Sequence, residues 1–330
     1  MQEIRFCKKD EYKELQYYID NFWKKGHILA TNKKLLDWQY LDDERYNFVV
    51  SVDHTKKING ILGFIPTYKF DKNLIKYNEI WLALWKAEKN GVGIKLLSFL
   101  INKLNPSVIG VLGVNNKVLP IYKMLGFEIA QMKHFFIKSN FYQPNISNIV
   151  SDCEKEYKNN IYKIKEISYE KINLLKNLNF EKVFHKSVDY IKNRYINHPF
   201  YKYKLFGVFD NEKLISLFIT RKIIVNNYAC LRIVDFIGEF IIENLKNEFQ
   251  KILNNEKAEY IDFLCYMKDF DKVKKMGFCE KTEKDIIPEY FEPFEKKNVT
   301  INLAYKGSDD IYFFKADGDQ DRPNVIKDNG

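Results

Sequence analysis

Residues Glu79–Glu128 read EIWLALWKAEKNGVGIKLLSFLINKLNPSVIGVLGVNNKVLPIYKMLGFE. The apolar run Asn78–Trp85 predicts a strand. The polar loop Glu88-Lys89-Asn90-Gly91-Val92-Gly93 breaks it, and a helix follows through Lys103. Val108–Val114 is a second apolar strand. Val118–Leu125 is a short helix closed by Gly126-Phe127. Two successive strand–turn–helix units thus follow one another, the first with a glycine loop at the helix start; a lone Gly-x-Gly is common to many turns. Helix N-termini carry N–H groups without acceptors and the positive end of the helix dipole. Glycine lets a backbone approach a ligand closely and take unusual dihedrals.

Outward from this stretch, strands are expected at Glu3–Cys7, Phe48–Val52 and Ile61–Thr67, the last two joined by a turn at Asn59-Gly60. Helices are expected at Lys9–Phe22 and Lys34–Leu41, and Ala130–Ile137 is expected to close the sheet. The second half retraces this order. It has a strand at Tyr162–Glu166, helical stretches at Tyr169–Leu178 and Val188–Asn193, and a hairpin turning at Asp210-Asn211. An apolar strand, a helix over Glu243–Leu253, another strand and a short helix ending at Gly277-Phe278 complete it. Gly277 lies 151 residues after Gly126, and the same offset lays Ile261–Cys265 on Gly110–Val114. The repeat is a whole domain. The fold class expected is therefore α/β (α+β): two similar domains, each a mixed sheet flanked by helices. The divisions expected are 1–140, a polar linker at 141–161, a second domain at 162–305, and a strand with an acidic tail at 306–330.

The motifs resemble those of the GNAT (Gcn5-related N-acetyltransferase) family over the first half. Glu88-x-x-Gly91-x-Gly93 stands where that family has Gln/Arg-x-x-Gly-x-Gly/Ala. Asn115, Val118, Ile121, Tyr122, Gly126 and Phe127 match its Asn-x-x-Ala-x-x-Leu-Tyr-x-x-x-Gly-Phe. The resemblance implies acetyl-CoA or another acyl-CoA as co-substrate. Its pyrophosphate would lie on Lys89, Asn90, Gly91, Val92, Gly93 and Ile94, near Asn115. Its pantetheine would pair with backbone groups of Leu82 and Leu84, between strands that splay apart. Trp81 and Trp85 flank this slot. Glu88 departs from the family pattern and would repel phosphate if it faced it, so the backbone carries the expected contact. Tyr122 is the expected acid for the leaving thiolate; no general base is evident, Glu79 and a water relay being equal candidates.

The second half lacks this machinery. Its strand–helix junction has no Gly-x-Gly, and the 151-residue offset sets Tyr266 on Asn115 and Val273 on Tyr122. It reads as a degenerate copy. Arg232 and Asp235, on an apolar strand, are costly unless paired, so a structural ion pair is expected there. In the tail, Asp317, Asp319, Asp321 and Arg322 are expected to bind substrate, carboxylates holding hydroxyls or an ammonium and the guanidinium a phosphate.

The net charge is +9 (53 Lys and Arg against 44 Asp and Glu). The lysines are dispersed and form no nucleic-acid motif. The charge favours an anionic ligand. The five cysteines lack C-x-x-C spacing and read as free thiols, and no metal is expected. No run reaches the length of a membrane span, and the charged N-terminal stretch does not read as a secretory signal, so a cytoplasmic protein is expected. The resulting expectation is an N-acyltransferase, of N-acetyltransferase type, acting on an amino group of a sugar or nucleotide-sugar for a bacterial surface glycan. A non-catalytic acyl-CoA-binding scaffold and a tandem-GNAT peptidyl or aminoacyl transferase are the alternatives.

Overall fold

The computed structural model describes residues 3–151 and 161–325. Cys153 and residues 152–160 of the expected linker lie outside them. The chain order opens with β1 (Glu3–Lys8), α1 (Tyr12–Tyr18), α2 (Ile28–Thr31), α3 (Lys33–Tyr40), β2 (Leu41–Asp42), β3 (Arg45–Val52), β4 (Ile58–Pro66) and β5 (Glu79–Ala87). It continues through α4 (Val92–Leu104), β6 (Val108–Leu112), α5 (Leu119–Met124), β7 (Glu128–Gln131) and β8 (Lys133–Lys138). Then come β9 (Tyr162–Ile167), α6 (Val188–Ile191), β10 (Tyr203–Asp210), β11 (Lys213–Val225), β12 (Tyr228–Gly238), α7 (Lys246–Glu256), β13 (Ala258–Tyr266) and α8 (Asp271–Lys275). Short pieces close the order: β14 (Cys279–Glu280), β15 (Tyr290–Phe291), β16 (Phe294–Glu295), β17 (Asn302–Lys306) and β18 (Phe313–Phe314).

The chain forms two compact units. Of the described residues, the first holds 3–129, 303–308 and 318–325, and the second holds 130–151, 161–302 and 309–317. The fold is α+β with two mixed sheets, as in tandem GNAT-like domains. The first sheet runs β1-β3-β4-β5-β6-β17-β7, and the second runs β14-β8-β13-β12-β11-β10-β9. One expectation needs correction. Ala130–Ile137 does not close the first sheet as one strand. Met132 interrupts it, and β8 pairs antiparallel with β13 in the second sheet. The place beside β6 is taken by β17, with Leu303 opposite Leu112 and Lys306 opposite Ile109. Nothing in local periodicity distinguishes a strand that stays in its own sheet from one that leaves it.

In the first unit, α4 places Val92, Leu96, Leu97 and Leu100 on one buried face, the spacing of an amphipathic helix. They pack with Val49, Leu62, Phe64, Ile80 and Leu82 of the sheet. Asn105, in the left-handed region at φ 44°, caps the helix, its N–H donating to the Ile101 carbonyl at 2.8 Å. Asparagine tolerates this region better than most residues.

Two local helices differ from expectation. Lys9–Phe22 breaks into a 3-10 turn, α1 and a π-turn over Ile19–Trp23, and Tyr169–Asn177 is 3-10 rather than α.

The second unit buries several charged side chains. Arg232 and Asp235 do not pair with each other. Arg232 donates to Asp262 (Nη2–Oδ2 2.6 Å) and to the carbonyls of Pro288 and Glu289 at 2.8 and 3.1 Å. Asp262 also meets His134 Nε2 at 2.9 Å. Burial alone would raise the Asp262 carboxyl, yet Arg232 and His134 hold it at about 2. Asp235 takes the Lys186 ammonium at 2.6 Å and the Tyr195 hydroxyl. The bulge at Val234, described below, lies between the two residues. The cysteines also need correction: Cys7, Cys230 and Cys265 are free, but Cys279 is disulfide-bonded.

Candidate acyl-donor cleft

The pairing of β4 with β5 slips at one residue. Leu62 opposes Trp85 and Gly63 opposes Ala83, leaving Leu84 as a bulge at φ +40°. A bulge bends its strand and takes backbone groups out of the ladder. The parallel ladder between β5 and β6 runs from Glu79–Val108 to Leu82–Val111 and stops there. Beyond this rung the strands fork. A cleft of about 490 Å³ opens between them, walled by Leu82–Ala87 on one side and Val111–Asn115 on the other. Gly91, Gly93 and Ile94, at the start of α4, form one end, and Val118, Ile121 and Tyr122 line it from the α5 side.

The two glycines serve different needs. Gly91 caps α4 at φ +77°, where a side chain would be strained although nothing lies near its Cβ direction. Gly93 needs no unusual dihedral. A Cβ there would sit 3.0 Å from Trp85 Nε1, and the same indole N–H donates to the Gly93 carbonyl at 3.1 Å. Gly93 thus packs closely on the indole while also lining the cleft. The Gly93 and Ile94 amides of the first turn have no intrahelical acceptor, and both residues line the cleft. The Val92 side chain is buried in the core and does not line the cleft. Its N–H turns back to the Lys89 carbonyl at 3.3 Å. Glu88 is exposed and lies off the lining, while Lys86, Lys89 and Asn90 line it.

Tyr122 is 2% exposed. Its ring packs on Trp85 and Phe127, with centroids 5.3 and 5.0 Å away. Burial pushes its phenol well above the ordinary tyrosine range, so it keeps its proton at neutral pH. Among the described residues no partner lies within hydrogen-bond distance of its hydroxyl. Asn115 lines the cleft, and its Oδ1 and carbonyl accept from the Lys117 and Val118 amides at 3.0 and 2.8 Å, shaping the turn into α5.

Glu79 is buried at the far end of β5, opposite Val108, and does not line the cleft. Three residues of strand, ~10 Å, separate it from Leu82. Trp81 is buried too, and of the tryptophans expected at the slot only Trp85 lines it. The tail divides. Asp319 and Arg322 line the cleft together with Gln320. Asp321 is buried off the lining. Asp317 belongs to the second unit, where it meets Lys186 at 3.0 Å and accepts from the Phe314 amide at 2.8 Å. Burial and Asp235 raise its carboxyl to about 6, against the pull of Lys186.

Arg322 is held in place. Its Nη2 lies 2.9 Å from His27 Nε2, its Nη1 donates to Asn324 Oδ1 at 3.0 Å, and its Nε lies 3.4 Å from Asp319. Burial, then the Arg322 charge, push His27 down to about 3. The ring is therefore neutral, and its Nδ1 accepts from the Leu29 amide at 3.3 Å. Sequence reading missed His27, Gln320 and Trp23, which is 41% exposed at the rim. None carries a motif: Gln320 and Trp23 meet the cleft through tertiary packing alone, and His27 touches Arg322 without lining the cleft itself.

The second unit repeats the bulge and fills the fork. Ile219 opposes Asp235 and Thr220 opposes Ile233, so Val234 is skipped. The β12–β13 ladder ends at Ile233–Phe263. Past it β18 pairs with β13, Phe314 opposite Cys265, and the Ala316 amide donates to the Val234 carbonyl at 2.8 Å. The chain's own extended backbone thus occupies the position that is an open cleft in the first unit. Val273 stands in α8, one helical turn before Gly277-Phe278, as Tyr122 stands in α5 before Gly126-Phe127.

No protein-family model matches the chain, and no curated protein matches it. Solved structures share its fold. A GCN5-related N-acetyltransferase from Anabaena variabilis aligns over 93% of this chain and 72% of its own, with TM-score 0.54 and 10% identity. A conserved protein of unknown function from Enterococcus faecalis, described as a probable N-acyltransferase, aligns over the same shares with TM-score 0.55 and 12% identity. At these identities the likeness concerns the fold. Among the described residues no helix is long and apolar enough to cross a membrane.

Proposed function

We propose that the chain is an acyl-CoA-dependent N-acyltransferase with one donor site, in the first unit. The observation that carries this reading is the meeting of three features in one cleft. They are the open fork after Leu82–Val111, the free amides at the start of α4, and a buried, protonated Tyr122. The α4 amides from Gly93 to Ile94, with Lys89, suit the pyrophosphate. Backbone groups of Leu82 and Leu84 suit an extended pantetheine amide, in the manner that Val234 accepts Ala316 in the second unit. The amine attacks the thioester carbon, the C–S bond breaks, and the Tyr122 hydroxyl protonates the departing sulfur. Most of the rate comes from holding amine and thioester together.

The acceptor in this reading is an amino group on a sugar or nucleotide-sugar. Arg322 at the rim suits a phosphate, and Trp23 offers an aromatic face to a ring. Titration calorimetry with acetyl-CoA tests the donor site, with about one site per chain expected. Gly91→Asp, which puts a carboxylate beside the α4 amides, should weaken that binding strongly. Two equal sites, or undiminished affinity in Gly91→Asp, would overturn the assignment.

A further inference from the structure

Attack by an amine leaves a proton on nitrogen that must be removed, and the carboxylate expected to remove it, Glu79, does not line the cleft. We infer that Asp319 is the general base of the proposed transfer, an inference that rests on the acyltransferase reading. Its carboxylate is the only one among the described residues lining the cleft. Its place is set by its neighbours in the chain. A Cβ on Gly318 would sit 3.5 Å from Trp81 Cβ, in ordinary contact. The Gln320 amide donates to the Leu112 carbonyl at 3.3 Å. Trp81 and Leu112 flank the final rung of the β5–β6 ladder, so residues 318–320 cross the strands at the fork itself. A donor anchored at the α4 N-terminus and running along β5 toward Leu82 brings its thioester to that point.

The carboxylate is oriented on both sides. Gln320 Nε2 lies 3.4 Å from Oδ1, and Arg322 Nε lies 3.4 Å from Oδ2. Neither contact is short, so both oxygens retain accepting capacity. The charged and titratable groups facing it are Arg322 from its own segment, Tyr40 at the end of α3, and Lys86, Lys89 and Tyr122 on the cleft walls. The step balances. The amine lone pair forms the C–N bond, and the resulting ammonium of the tetrahedral intermediate gives its proton to Asp319. The C–S electron pair leaves on sulfur, which takes the Tyr122 proton. Asp319 then releases its proton to solvent, and the phenolate regains one.

The test compares two amines with acetyl-CoA as donor, each attacking as the free base: D-glucosamine, whose ammonium in the tetrahedral intermediate is a weak acid and needs a base, and hydroxylamine, whose corresponding ammonium is far more acidic and loses its proton to water. Release of the CoA thiol is followed in the wild type, Asp319→Asn and Asp319→Glu. Asp319→Asn is expected to lower turnover with glucosamine by about 10²–10⁴-fold, to lower it much less with hydroxylamine, and to leave acetyl-CoA affinity unchanged. Asp319→Glu, which keeps the carboxylate, is expected to recover part of the rate. Equal losses with both amines, or a raised KM at unchanged kcat, would make Asp319 a binding or packing residue and overturn the assignment. A wild type that neither binds acetyl-CoA nor releases its thiol sinks the acyltransferase reading itself, and the base with it.

Discussion

Gly93→Ala separates the packing account of the glycine loop from a ligand-approach account. Position 93 lies in the first turn of α4, where alanine is preferred to glycine by ~1 kcal/mol. Against this gain, the new Cβ would sit 3.0 Å from Trp85 Nε1 and 3.4 Å from Cε2. Both are inside comfortable contact with a ring that is itself pinned between Gly93 and Tyr122. Overpacking of this kind costs about 1–3 kcal/mol. The net expectation is a destabilisation of about 0–2 kcal/mol from these two opposing terms. In a Trp85→Ala background the clash is gone and only the helix gain is left, so the same substitution should stabilise by about 1 kcal/mol. Urea unfolding of the four proteins, followed by far-ultraviolet circular dichroism, closes the cycle. The coupling between the added methyl group and the Trp85 indole should be unfavourable by about 1–3 kcal/mol. If Gly93→Ala costs the same with and without the indole, the packing account is wrong, and a ligand-facing role for the glycine returns.

Tyr122→Phe should lower turnover by about 10²–10⁴-fold while acetyl-CoA affinity holds, because the ring still packs on Trp85 and Phe127 and only the hydroxyl is lost; wild-type turnover would demote it to packing. Asp317 makes a pH prediction in the second unit. Its folded-state carboxyl is raised to about 6 from an ordinary 3.8, so its contribution to stability is fully present below 3.8 and is lost as pH rises through about 6. The groups facing it are Lys186, Asp235, Arg194, Tyr190 and Tyr195. Wild type should therefore lose stability relative to Asp317→Asn across that window, read as urea midpoints at pH 4.5, 5.5 and 7, and parallel midpoints would refute the assignment.

Much of the fold was legible because its signals are local. The apolar spacing Val92, Leu96, Leu97, Leu100 specifies one buried helix face whatever the helix packs on. Gly91 and Gly126, both at positive φ, mark turns that a chain with side chains there would resist. The domain repeat was visible because Gly126-Phe127 and Gly277-Phe278 recur at the same point of the same element order. Tertiary structure decided the rest. Periodicity identifies β8 and β17 as strands but holds no information about which sheet each joins, since ladder hydrogen bonds are made by backbone groups common to every residue. The bulges at Leu84 and Val234 are register slips against a neighbour, which no single strand displays. Glu79 and Asp319 show the same division in the site. One is near the motif in sequence and buried away from the cleft, and the other is more than two hundred residues from it and on the cleft wall. Spacing and conformational preference alone marked which segments would be helix, strand and glycine turn. Which carboxylate, which tryptophan and which strand reach the fork was decided only when distant segments packed together, because that outcome depends on shape and pairing summed over the whole chain.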